Sequence, residues 1–97
     1  MTIQFSHIGE SIGTRVLGKQ IRMEIEEAIT HGKFVTFDFS NVKVISHSFA
    51  DECFGKLLAK WSLKELQAKS TFKDANGFIK KTIAFTLNER LSERELA

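Results

Sequence analysis

Ser46-His47-Ser48 is the densest group of reactive side chains in this sequence, and Asp51, Glu52 and Cys53 follow it at once. Two hydroxyls around an imidazole suit three kinds of chemistry: a base-activated serine nucleophile, a phosphorylation acceptor, or an anion site on the amides of a helix start. The first needs a carboxylate to orient the histidine. Asp38 is the candidate, but nothing in the spacing brings it to His47, so no complete catalytic constellation is present and a non-enzymatic protein is expected. His7, His31, His47 and Cys53 lack the spacing of metal ligands, and neither a metal nor a cofactor is expected.

The remaining motifs have plainer readings. Gly9-Glu10-Ser11-Ile12-Gly13-Thr14 has the glycines of a phosphate loop without its lysine, and reads as a turn. Cys53 lies in an apolar helical stripe, where a thiol is a small core group rather than a nucleophile. Lys56, Lys60, Lys64, Lys69, Lys73, Lys80 and Lys81 face only Glu65 and Asp74 in the same stretch, which reads as a solvated lysine-rich surface.

These residues must be held by a small frame. A chain of 97 residues, 42% hydrophobic and 27% charged, supports one core and one domain over 1–97. The formal charge of +2 is too low for a dedicated nucleic-acid binder. A single cysteine, the absence of a signal-like start after Met1 and the lack of a long apolar run predict a cytoplasmic protein without membrane insertion.

Ile3 to Phe5 reads as a short strand at an edge or second position and His7 to Gly13 as a loop. Leu17, Ile21, Ile25, Ala28 and Ile29 recur at helical spacing, giving a helix from Thr14 as N-cap to a stop at Gly32. Phe34 to Phe39 reads as a central strand with both faces covered, in which Asp38 must find donors. Phe49, Ala50, Cys53, Phe54, Leu57, Leu58 and Trp61 trace a long amphipathic helix with Asp51, Glu52, Lys56 and Lys60 on its exposed side. Ser48-Phe49-Ala50-Asp51 has the spacing of its capping box.

Ser62 to Glu65 fits either a second capping box or a connection, and Ser70 to Lys73 a short strand. A last helix runs from about Gly77 to Leu91, with Phe78 and Phe85 either wedged between elements or forming an exposed patch for a partner, and 92–97 a frayed tail.

The passage from Asp38 to Ser48 resembles the strand-to-helix step of STAS domains, the sulphate-transporter and anti-sigma-factor-antagonist class. More closely, Thr14 to Gly18, Val35 to Phe39, Ile45 to Gly55 and Asn76-Gly77 are similar to the bacterial STAS-like family of unassigned function. The resemblance implies an α/β domain with a mixed or mostly parallel sheet of three to four strands and about three helices. It also implies a regulatory role through protein contact, with a histidine-kinase-like ATPase or anti-sigma factor as partner. A homodimer is a further option that the sequence leaves open.

In anti-sigma-factor antagonists a serine at the start of this helix is phosphorylated. In register with Asp38 and Ser40 that position holds His47, so Ser46 or Ser48 would have to substitute, with Asp51 and Glu52 beside the added charge. The competing expectation is a nucleotide, small-anion or nucleic-acid site using Lys43, Ser46 and Ser48 at the helix start together with the lysine-rich second half.

Overall fold

A computed structural model describes the backbone of residues 1–96 and the side chains of residues 1–93. The helical periodicity from Leu17 onward produces α1 (Arg15–Thr30), begun by Thr14, whose hydroxyl accepts the Leu17 N–H at 3.2 Å. It ends at His31, and Gly32 then takes φ of 76°, a conformation open to glycine at little cost.

Five short strands follow the β-branched and aromatic runs: β1 (Thr2–Gln4), β2 (Ser11–Ile12), β3 (Val35–Asp38), β4 (Val44–Ile45) and β5 (Ser70–Lys73). β1, β3 and β5 form one parallel sheet in that order, and β2 and β4 a separate parallel pair. The sequence missed β2, which lies within the expected loop, because a two-residue strand carries no period.

Register sets the two faces of the larger sheet. Ile3, Phe37 and Phe72 lie side by side on one face, and Thr2, Thr36 and Thr71 on the other, as do Gln4, Asp38 and Lys73. The first face is the apolar, covered one: Ile3, Val35 and Phe37 join the core, whereas on the second Thr2, Gln4, Thr71 and Lys73 are exposed, Thr36 is half-buried and Asp38 is buried. β3 is central as expected, but its second face is not packed under a helix layer; alternation in Val35-Thr36-Phe37-Asp38 carried that information. Asp38 is 7% exposed and accepts the Ser40 N–H at 2.9 Å and its hydroxyl, which satisfies the burial.

Phe5 leaves β1 in a 3-10 turn (Phe5–His7) and stacks on Phe39 with ring centres 4.3 Å apart. Phe49 and Phe54 close on Phe5, and the Phe54 ring meets the Phe37 ring edge-on at 5.2 Å. This phenyl cluster joins the sheet to the helices.

The remaining helices are α2 (His47–Cys53), α3 (Leu63–Lys69) and α4 (Gly77–Leu96). The long helix expected from Phe49 to Trp61 is broken: α2 stops at Cys53 and a 3-10 turn (Gly55–Ala59) carries the apolar stripe onward. α3 starts with the capping box of Ser62 and Glu65. Asn76 caps α4, accepting the Ile79 N–H at 2.8 Å while donating to the Lys43 carbonyl. α4 is helical through Leu96, and Ala97 lies outside the described residues. No helix among the described residues is long and apolar enough to cross a membrane.

Candidate functional site

The Ser-His-Ser corner is fixed from below by the small sheet. The Ser46 N–H donates to the Ile12 carbonyl at 2.8 Å, continuing the β2–β4 pairing. The Ser46 hydroxyl donates to the Gly13 carbonyl at 2.8 Å and accepts the Phe49 N–H at 3.0 Å. Ser46, not Ser48, is therefore the N-cap of α2, and the expected box of Ser48 with Asp51 does not form. The β4 direction delivers Ser46 in extended geometry (ψ 158°), which makes it the last non-helical residue.

Asp51 and Glu52, expected on the exposed side, are enclosed between α1, α2 and α4. The two carboxylate oxygens of Asp51 accept from Nε and an NH2 group of Arg90, both at 2.8 Å, and one accepts from Arg15 at 3.0 Å. Glu52 is 6% exposed and meets Arg22 and Lys56, each at 3.0 Å, and Arg15 at 3.4 Å. Glu26 extends the seam, taking Arg22 at 3.2 Å and Lys60 at 3.0 Å.

The cations control how these acids titrate. The Arg90 hydrogen bonds hold the Asp51 carboxyl down at about 2, with Arg15 adding to the effect against burial. Burial pushes Glu52 upward, but Lys56 and Arg22 outweigh it and keep it below the usual carboxylate range. Burial drives the Cys53 thiol well above its ordinary value, consistent with an inert core group.

Two glycines make the seam possible. A Cβ on Gly18 would lie 2.9 Å from the Glu52 Cβ and 3.1 Å from the Phe49 carbonyl oxygen, so α1 approaches α2 only with glycine there. A Cβ on Gly55 would lie 2.8 Å from the Asp51 carboxylate and 3.3 Å from the Arg90 stem.

What stays accessible is on the other flank of the corner. His47 is exposed, its Nε2 2.7 Å from Glu89 Oε1 and its ring centre 5.3 Å from that of Phe85. Phe78 lies two turns before Phe85 on the same face of α4, and the pair are 58% and 57% exposed. Of the two readings, wedged or exposed, they take the exposed one. Ile79, Ile83 and Thr86 occupy the inward positions of α4, and the phenyl rings flank them.

The structure thus divides the predicted site residues. Ser46, Asp51 and Glu52 are occupied in the frame, His47 is exposed beside α4, and Ser48 is half-buried with no hydroxyl hydrogen bond among the described residues. Two of the three groups expected to hold an anion have protein partners: the Ser46 hydroxyl is used twice, and the Lys43 ammonium lies 3.5 Å from Glu10, while the Ser48 hydroxyl has none among the described residues. Asp38 is taken by Ser40 and His47 by Glu89, so no Ser-His-Asp relay is assembled among the described residues. No cluster with metal-binding composition occurs there either.

Sequence reasoning missed Arg15, Arg22 and Arg90 as partners of the acids, and Glu89 as partner of His47. Nothing local signals them, since these contacts span 30 to 42 positions. The wide apolar stripe containing Phe78 and Phe85 was the one available sign of the aromatic flank.

A family model described as a STAS-like domain of unknown function matches residues 18–80, a span containing β3 to β5, α2, α3 and nearly all of α1. Comparison with curated proteins and with solved structures produced no match.

Proposed function

The chain belongs to the STAS-like domain family of unknown function, and from that premise we propose that it is a non-enzymatic regulatory domain acting by protein contact through the face where His47 meets Phe85. The observation that carries this reading is the exposed pair Phe78 and Phe85 beside the start of α2. Phenyl rings left in water next to a polar corner mark a contact surface more readily than a solvated one. His47 and Glu89 supply hydrogen-bonding groups at its edge.

The partner suggested by the wider class is a histidine-kinase-like ATPase or an anti-sigma factor. Ser48 is the better phosphorylation site, because Ser46 is engaged in the cap and would give up about 1 kcal/mol of it on modification. A phosphate on Ser48 adds about −1.5 to −2 charges one turn from Asp51 and close in sequence to His47. It would repel an acidic partner surface and weaken the contact.

The test combines the full chain with kinase-like ATPases from the same genome in the presence of ATP. One ATPase should bind the wild-type chain, lose that binding with a Phe78→Ser/Phe85→Ser variant of unchanged melting temperature, and leave phosphate on Ser48 detectable by mass spectrometry. Unchanged binding by the double variant would remove the assigned face. Absence of phosphate together with unchanged binding by Ser48→Asp would remove the switch.

A further inference from the structure

α4 has a second flank, about half a turn from Phe78 and Phe85, that borders the core and opens toward β5. Lys80, Ile83, Ala84 and Leu87 line it, facing Phe72 of β5. Between β5, α3 and α4 it opens into an apolar cleft of about 270 Å³ walled by Leu63, Leu66, Phe72 and Leu87.

β5 is the outer strand of its sheet, and Phe72 is 43% exposed. The Phe39 N–H donates to the Lys73 carbonyl at 2.9 Å, so Lys73 turns its backbone groups toward β3. Alternation then turns the N–H and C=O of Phe72 outward, to the open edge.

The lysines around this edge differ from their neighbours. Lys56 and Lys60 are consumed by Glu52 and Glu26. Lys64, Lys69, Lys73, Lys80 and Lys81 form no ion pair among the described residues, and Lys73, at the end of β5, is on the polar face of the sheet. The edge therefore offers backbone hydrogen bonds, an apolar cleft on one side and the unpaired Lys73 ammonium on the other.

We infer that the β5 edge is a docking site for an extended acidic peptide of a partner protein, which adds a strand beside β5. Its side chains would alternate. Apolar ones would enter the cleft at Phe72, Leu66 and Leu87, and carboxylates would meet Lys73 on the opposite face, with Lys69 at the α3 end just before the strand. A second copy of this chain pairing β5 to β5 would bring Lys69 and Lys73 against their own kind, so charge selects against it. Single-stranded nucleic acid shares the charge, but Phe37 and Phe54 in the cleft wall are buried, which leaves Phe72 the one exposed ring there for a base to stack on. This site is independent of the His47 face and stands or falls separately.

The experiment pans a random peptide display library on the immobilised full chain and measures enriched peptides by fluorescence anisotropy and NMR. Enriched sequences should alternate Asp or Glu with Val, Ile, Leu or Phe, bind more weakly as salt rises, and shift the Phe72 amide and the Leu66 and Leu87 methyl signals. Lys69→Glu/Lys73→Glu, both at the rim, should fold normally and weaken binding by about tenfold. Overturning results are enrichment without acidic alternation, shifts at His47 and Phe85 instead of β5, an unchanged affinity for the double variant, or an oligo-uridine probe that binds more tightly than the peptides.

Discussion

Two surfaces meet along α2, and each reverses the usual placement of its residue types. Toward α1 and α4, the carboxylates of Asp51 and Glu52 are enclosed; toward the far flank of α4, Phe78 and Phe85 stand in water. The enclosed acids are tolerated because Arg15, Arg22, Lys56 and Arg90 converge on them, which offsets the loss of hydration. The exposed phenyls have no such internal explanation, since five of the nine phenylalanines already fill the core and four remain outside. The polar seam thus belongs to the frame, and the apolar flank is what the frame presents.

That division separates stability from recognition, and substitutions can break it. Glu52→Ala leaves three cations without their buried partner and should lower unfolding free energy by about 3 kcal/mol in urea titration. A loss below about 1 kcal/mol would mean the cations rehydrate freely and the seam is only a decorated surface.

Gly18→Val acts on the same seam through shape. The added carbons meet Glu52 and the Phe49 carbonyl, and about 2 kcal/mol of destabilisation is expected in thermal melts. Wild-type stability in that variant would show that α1 and α2 approach less closely than described.

Acid should open the seam before the aromatic flank responds. Asp51 titrates at about 2 when folded against an ordinary 3.8, so its contribution is complete above pH 3.8 and disappears as pH falls through about 2. The loss is about 1.5 kcal/mol after allowing for partial solvation, and Asp51→Asn should flatten that part of the stability curve. A variant whose stability declines as steeply as wild type over this range would place the acid sensitivity elsewhere.

The smallest stability effect sharpens the contrast. Phe85→Ser should change unfolding free energy by no more than about 0.5 kcal/mol in the same urea titration, while removing partner binding through the His47 face. A loss comparable to Glu52→Ala would return Phe85 to the frame.

Much of the fold was legible where the signal is local. α1 carried its cap at Thr14 and its period through Ile29, and β3 its β-branched and aromatic run. α3 was expected with its capping box as one of two readings, and the box is present. β2 was not legible, because two residues cannot show alternation.

The candidate site was legible as a place but not as an arrangement. Its Ser-His-Ser corner is there, yet the cap falls on Ser46 because the β2–β4 pair holds that residue extended while His47 begins the helix. A capping motif two residues downstream has the same spacing and a different outcome, since backbone direction rather than spacing selects the capping residue.

The sequence by itself determined which positions of α2 face the core, because apolar periodicity is a property of one helix. It also determined that Cys53 is a core group and that no metal-ligand spacing is present. Only the tertiary structure decided what became of the other face of α2, because a polar stripe reads the same whether water or a neighbouring helix covers it. Arg22 from α1 and Arg90 from α4 close over Asp51 and Glu52 across long sequence separations, and the same placement of α4 leaves Phe78 and Phe85 outside.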